Sequence, residues 1–170
     1  IQKGQKVLIH AAAGGVGHYA VQIAKYFGAW VAGTASAANR DFVLNIGADE
    51  HIDYKAAPLH EQVADIDFVL DTIGGETIDH SLELMKKGGI IISIPSGLNE
   101  AVTDKAGAKE MKGYSFKVKS NGDDMKAIAS LLEKGIIKSH ISHIFSFNEI
   151  AKAHAQIETG RTIGKVVVQV

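Results

Sequence analysis

The sequence predicts a doubly wound α/β domain built on a parallel sheet. Three observations carry that expectation. Short apolar runs such as KVLIH (6–10), DFVLD (67–71) and GGIIIS (88–93) suit strands buried on both faces. Amphipathic stretches alternate with them, and glycines at 28, 47 and 135 close three of those stretches. Hydrophobic residues make up 46% of the 170, enough for one sizeable core without help from disulfides or metals.

The elements follow in order. Lys6–His10 reads as the first strand. From Val16 to Phe27, apolar side chains recur with a helical period at Val16, Ala20, Val21, Ile23, Ala24 and Phe27, and Gly28 ends the helix. Trp30–Thr34 gives a second strand, Arg40–Ile46 a second helix closed by Gly47, and His51–Asp53 a brief third strand. Asp67–Asp71 is the fourth strand and runs into the turn-forming Ile73-Gly74-Gly75. Thr77–Met85 makes a helix and Gly89–Ile94 a fifth strand. Gly97–Gly113 is the one long polar segment and reads as a surface loop with a short helix. Tyr114–Val118 suits a sixth strand, Met125–Lys134 a helix, Phe147–Glu158 another, and Lys165–Val170 a last strand. Strands alternating with helices call for a parallel sheet covered on both sides. The two prolines mark no linker, and there is no internal repeat.

The bulk numbers remove several function classes. A formal net charge of −1 gives no reason to expect a nucleic-acid or membrane partner. No apolar run approaches the roughly 18–20 residues that span a bilayer. With no cysteine, the chain has neither a disulfide framework nor a thiolate metal site. Nothing at the start resembles a signal peptide, and a cytoplasmic location is expected. The chain opens on Ile1 directly before a strand, which reads as a piece of something longer.

The stretch HAAAGGVGHYAVQIAK (10–25) carries the chemistry. A strand, a glycine-rich turn and a helix in that order offer unpaired N–H groups and the positive end of a helix dipole to a phosphate. Gly14 allows the backbone to approach a pyrophosphate, and Gly17 allows the helix to pack close on the strand. Ala12 stands where a G-x-G-x-x-G pattern has its first glycine. Alone, that turn also fits a nucleotide-free α/β core. The preceding strand, the helix and the second strand at βαβ spacing favour a Rossmann dinucleotide site.

The end of the second strand then separates the cofactors. NAD-binding sites usually place Asp or Glu there to hold the ribose. Here the sequence is GTASAANRDF, with Ser36, Asn39 and Arg40 ahead of any acid. Ser36 can donate to a 2′-phosphate and Arg40 can neutralise it, so the expected cofactor is NADP rather than NAD. The missing acid also argues against a methyltransferase.

At this point KGQKVLIHAAAGGVGHYAVQIAK resembles the coenzyme domain of the medium-chain dehydrogenase/reductase superfamily, in its quinone oxidoreductase branch. The likeness continues through IGADEHIDY (46–54), DFVLDTIGG (67–75), GGIIISIPSG (88–97) and FSFNEIAKAHAQIETGRTIGKVVV (145–168). It implies an N-terminal GroES-like catalytic domain beyond this chain. Residues 1–140 would be the NADP-binding Rossmann domain, and 141–170 a helix and strand returning to the catalytic domain, with Ile144, Phe145 and Ile150 partly orphaned. Gly14, Gly15, Val16 and Gly17 would line the pyrophosphate. Ser36, Asn39, Arg40 and Tyr54 would meet the 2′-phosphate, with Arg161 a weaker candidate. Thr72 and Ile73, and Ile94, Pro95 and Ser96, would lie along the path from adenosine to nicotinamide. The substrate would be a small quinone or α,β-unsaturated carbonyl, with zinc absent and a homodimer possible through a sheet edge. The rivals are a zinc-dependent alcohol dehydrogenase of the same superfamily and a non-catalytic NADPH-binding protein. No catalytic residue is identifiable in these 170 residues.

The remaining polar features have plainer readings. His140 and His143 sit in an expected loop without a ligand partner at metal spacing. His10 and His18 flank the glycine turn. Asp71 ends a strand at the ligand edge, where it either caps a loop or orients ribose. Lys86-Lys87 suits a helix C-terminus, and Gly122–Lys126 a helix start with acids in its first turn.

Overall fold

The computed structural model describes residues 1–170. Six strands form one sheet: β1 (Lys6–Ile9), β2 (Trp30–Ala35), β3 (Glu50–Asp53), β4 (Ile66–Asp71), β5 (Met85–Ser93) and β6 (Lys112–Ser115). Their spatial order is β3-β2-β1-β4-β5-β6, with every pair parallel. This is the Rossmann order. The chain builds outward from β1 to β3, then returns to lay β4 on the other side of β1. A crevice opens at that reversal, at the carboxyl ends of β1 and β4, where ligands of such sheets bind.

The helices are α1 (Gly17–Tyr26), α2 (Arg40–Asn45), α3 (Leu59–Gln62), α4 (Glu76–Leu84), α5 (Val102–Ala108), α6 (Gly122–Glu133) and α7 (Ile150–Glu158). Alternation along each strand decides which of them it meets. Val7 and Ile9 pack with Val31, Val21 and Ala24 of α1, and Val43 of α2. Leu8 points the other way, into a core with Val69, Ile91, Ile78 and Leu82 of α4, and Val102 of α5. The sheet is therefore covered on both faces. No helix is long and apolar enough to cross a membrane.

Several sequence expectations are corrected. Met85 to Lys87 belong to β5, so Lys86 and Lys87 do not cap a helix; they pair with Asp67 and Glu110. The 97–113 segment does contain a short helix, α5, but that helix is part of the core and not a surface feature, because it buries Val102 and Ala106 completely. The sixth strand lies at Lys112–Ser115 instead of 114–118. Its shift follows from Gly113, where a Cβ would overlap the Val102 carbonyl oxygen, so α5 packs directly on the strand.

The largest correction concerns the C-terminus. Residues 141–146 form a strand, β7 (Ile141–Ser146), which places His143 in regular structure rather than in a loop. It pairs in parallel with β8 (Lys165–Gln169), and α7 crosses between them. The segment is thus strand, helix and strand. Gly164 fits there with a φ of 64°, and a Cβ on it would overlap the His140 carbonyl oxygen. Ile144 and Ile150 of this unit are exposed, at 64% and 43%.

Candidate functional site

After β1 the chain reverses at Ala11, which takes a left-handed φ of 46° without being glycine. Bonds from Ala11 N–H to Thr34 Oγ1 (3.1 Å) and from Ala12 N–H to the Thr34 carbonyl (2.9 Å) tie the turn to β2. Gly14 N–H closes the turn onto the Ala11 carbonyl at 2.8 Å. The next donors are then left over: the N–H groups of Ala13, Gly15, Val16 and Gly17 bond to nothing in the chain. α1 has no side-chain cap and no acid in its first turn. A helix start of this kind, at the crevice of a parallel sheet, leaves donors that an anion can satisfy.

Two glycines have steric reasons. A Cβ on Gly17 would overlap the Ala11 carbonyl oxygen and stand 2.8 Å from Ala12 Cα, so residue 17 sets how closely α1 approaches the turn. Ala12 is wholly buried, and its Cβ lies 2.7 Å from where a Cβ on Gly33 would be. Alanine fits at position 12 because the neighbouring strand has a glycine opposite.

A cavity of about 980 Å³ opens beside the turn, lined by His10, Ala11, Thr34, Tyr54, Ile73 and Thr77 among others. It brings Tyr54 and Ile73 together with the end of β1. Ser36 follows β2, Asn39 ends a short 3₁₀ turn, and Arg40 begins α2; none of the three lines this cavity. The Arg40 side chain is 62% exposed, and its one ionic contact is Asp41 at 3.4 Å. Thr72 donates from Oγ1 to the His10 carbonyl (2.9 Å), joining the ends of β4 and β1. Ile94, Pro95 and Ser96 leave β5 outside the cavity lining, and the loop they begin sits over the turn after β4, where Gly75 N–H donates to the Leu98 carbonyl at 2.8 Å. A smaller cavity of about 510 Å³, between α1, α2 and residues 135–140, contains no residue of the glycine turn.

Asp71 is fully buried, and the chain uses both of its oxygens. They accept from Ile73 N–H (3.0 Å), Gly74 N–H (3.0 and 3.1 Å), Thr77 Oγ1 (3.0 Å) and Ser93 Oγ (2.6 Å). Of its two readings, loop capping is the one these bonds support.

His10 is buried beneath the same cavity, 2.8 Å from Ser81 Oγ through Nε2 and 3.4 Å from Thr34 Oγ1 through Nδ1. Ser81 Oγ donates to the Thr77 carbonyl (2.6 Å), so it accepts from His10 Nε2–H, and Nδ1 is the acceptor in the neutral ring. Burial lowers the His10 pKa to about 4, with the nearby Asp71 charge partly opposing the shift. The unfolded chain protonates near pH 6.5 and the folded one only near 4, so stability is intact above 6.5 and falls between the two. The full loss is about 3 kcal/mol. Urea midpoints measured from pH 7 to 4 are expected to fall, and less steeply in His10→Gln; parallel curves would show that His10 does not titrate this way.

Thr34 and Ser81, which hold the turn and His10, were not legible from the local sequence. Each is placed by a partner far along the chain, and no local pattern marks them. Lys165 Nζ lies 3.4 Å from the Cβ position of Gly15 and 5.8 Å from the centroid of the Tyr19 ring.

Comparison with known proteins agrees with this architecture. Residues 46–168 match the family described as zinc-binding dehydrogenase. A mitochondrial NAD(P)H oxidoreductase of Mus musculus is 33% identical over 99% of this chain and 48% of its own length. The chloroplastic NADPH-dependent alkenal/one oxidoreductase of Arabidopsis thaliana is 33% identical over 97% of this chain and 40% of its own. The structure of the quinone oxidoreductase from Coxiella burnetii superposes on the whole chain with a TM-score of 0.96 at 33% identity, covering 54% of that protein. The chain spans about half the length, or less, of the curated relatives it matches.

Proposed function

Because the chain belongs to the zinc-binding dehydrogenase family, we propose that it is the NADPH-binding part of an oxidoreductase of the quinone oxidoreductase branch. The observation that carries the reading is the glycine turn at the sheet's reversal, with four N–H donors unmatched inside the protein. NADPH would supply the hydride, delivered to a quinone or an α,β-unsaturated carbonyl. The chain's own residues would bind and orient the cofactor. Gly14, Gly15, Val16 and Gly17 hold the pyrophosphate, Tyr54 joins Ser36, Asn39 and Arg40 at the 2′-phosphate, and Thr72 and Ile73 border the path from adenosine to nicotinamide, Ile73 on the wall of the cavity beside the turn. Ile94, Pro95 and Ser96 border the nicotinamide end, and the loop they begin is tied to the turn after β4 by the bond from Gly75 N–H to the Leu98 carbonyl. Nicotinamide-dependent names among the relatives support the same cofactor.

The family's zinc has no place in these residues. The chain has no cysteine, and nowhere do three His, Asp or Glu side chains converge. The relatives are roughly twice as long, which supports reading residues 141–170 as a segment that joins a catalytic domain outside this chain. The exposed Ile144 and Ile150 would meet that domain. A homodimer through the open edge of β6, where Tyr114 and Phe116 are half exposed, fits the same reading. The cytoplasmic assignment rests on the sequence alone, since the relatives named above are mitochondrial and chloroplastic proteins.

Preference for NADPH rests on Ser36, Asn39 and Arg40, with no acid at the end of β2. A charge-assisted bond of roughly 1.5–3 kcal/mol makes the expected change large. In calorimetric titration, Arg40→Ala is expected to weaken NADPH binding by about ten- to a hundredfold and leave NADH unchanged. Equal affinity of the unaltered chain for both nucleotides would remove the preference while leaving the dinucleotide site.

A further inference from the structure

We propose that His18, on the first turn of α1, is a positioning residue of the nucleotide site: its Nδ1–H holds the Gly14 carbonyl and thereby aims the Gly15 N–H at the bound nucleotide. The proposal deepens the dinucleotide reading above and rests on it.

The peptide between Gly14 and Gly15 is the least self-determined link of the turn. Both of its flanking residues lack a Cβ, so rotation of its plane meets little steric resistance. A trans peptide points its C=O and its N–H in opposite directions, so whatever fixes one fixes the other. The Gly14 carbonyl accepts from the His18 backbone N–H at 3.2 Å and, more closely, from His18 Nδ1–H at 2.8 Å. With that carbonyl drawn onto α1, the Gly15 N–H, one of the four unmatched donors, is turned away from the helix.

The tautomer of the ring is settled by partners that cannot exchange roles. A carbonyl only accepts, so Nδ1 carries the proton. At the other end of the ring the His140 N–H approaches Nε2 at 3.4 Å, and an amide N–H only donates, so Nε2 is the bare nitrogen. The ring is wholly buried. Burial, with Lys165 and His140 as neighbouring positive charges, lowers its pKa against the opposing pull of the Gly14 bond and favours the neutral form.

The segment that presents the His140 N–H is itself docked on α1. Tyr19 Oη lies 2.5 Å from Ser139 Oγ. The Gln22 amide donates to the Lys138 carbonyl at 3.0 Å and accepts from Lys138 N–H at 2.7 Å. Tyr19 and Gln22 therefore keep residues 138–140 in register with the ring, and His18 bridges from that segment to the turn.

The test is calorimetric titration with NADPH and NADH of the unaltered chain and three variants at position 18. Asparagine sets an amide nitrogen where Nδ1 stands, and glutamine an amide oxygen where Nε2 stands, so each keeps one of the two bonds. Leucine keeps neither. His18→Leu and His18→Gln are expected to weaken both nucleotides by about three- to tenfold at an unchanged ratio, because the Gly15 N–H meets the pyrophosphate that both share. His18→Asn is expected to restore both affinities to within about twofold of the unaltered chain. Binding by His18→Leu within about twofold overturns the proposal, as does a His18→Asn variant as weak as His18→Leu, which would leave the ring a packing element only. Proton–nitrogen correlation spectra of the isotope-labelled, unaltered chain near neutral pH read the tautomer without any substitution. A protonated Nδ1 with a bare Nε2 is expected, and the reverse overturns the proposal even where a variant fails to fold. Failure of the unaltered, folded chain to bind either nucleotide overturns the dinucleotide reading, and this proposal with it.

Discussion

Gly17→Ala is expected to be the most damaging single methyl that can be added near the site. Its Cβ would overlap the Ala11 carbonyl oxygen and crowd Ala12 Cα, both backbone atoms that cannot rotate away. Ala11 already sits in a left-handed conformation, and Ala12 is packed without free space, so the turn has no slack to give. The helix must lift from the strand, and Val21 and Ala24 lose contact with the core behind β1. Overpacking of this kind costs about 3 kcal/mol or more, and the four free N–H groups would no longer share one geometry. Denaturant unfolding together with NADPH titration should show both losses. Gly15→Ala is the control for the unfolding measurement alone, since its Cβ would meet only the Gly164 carbonyl oxygen at 3.3 Å and the flexible Lys165 side chain. A Gly17→Ala protein within about 1 kcal/mol of the unaltered chain would show that the turn does not set the distance of the helix.

Asp71→Ala should cost a comparable amount for a different reason. The substitution leaves the N–H groups of Ile73 and Gly74 and the hydroxyl of Ser93 without their acceptor, while Thr77 Oγ1 keeps the Gly74 carbonyl at 2.8 Å. Buried donors stripped of partners cost about 1–3 kcal/mol each before relaxation, and bonds to a charged acceptor are at the strong end. A total near 3–5 kcal/mol is expected from chemical denaturation. Ser93→Ala removes one donor and leaves the carboxylate its other bonds, so a loss of about 1–2 kcal/mol should follow. If Asp71→Ala were no worse than Ser93→Ala, the carboxylate would not be the organiser of the two loops. Both variants should also weaken nucleotide binding, because Asp71 fixes the turn after β4 and, through Ser93, the end of β5.

The sequence made the first βαβ unit legible because its signals are local. A strand, three alanines, the glycines and an amphipathic helix lie within 25 residues and answer to one periodicity each. The reversal at β1 and the two-faced core follow from the alternation of apolar strands and helices. The strand ISHIFS was missed for an equally physical reason. Its side chains alternate weakly, none is buried, and its partner β8 starts 24 residues later across a helix. Lys86 and Lys87 suited a helix end by charge, yet β5 takes them, since Met85 pairs with Ile66 of β4, a partner that no local pattern announces. Thr34 and Ser81 gain their places from tertiary contacts, which local spacing cannot express. Asp71 was read correctly as standing at the ligand edge, and its chemistry became clear only when its donors were found.

The methyl of Ala12 has a consequence for how this turn is recognised at all. The space that a first glycine ordinarily leaves open has been handed across to β2, where Gly33 would set a methyl 2.7 Å from Ala12 Cβ and 2.8 Å from Val43 Cγ1. Positions 12 and 33 therefore draw on one shared allowance of volume, and the left-handed corner falls to Ala11. A search that demands glycine at the first position of the fingerprint discards such a chain. One that scores the two strands jointly, granting a methyl on one where the other goes without, would retain it and would expect the two positions to change together between related sequences.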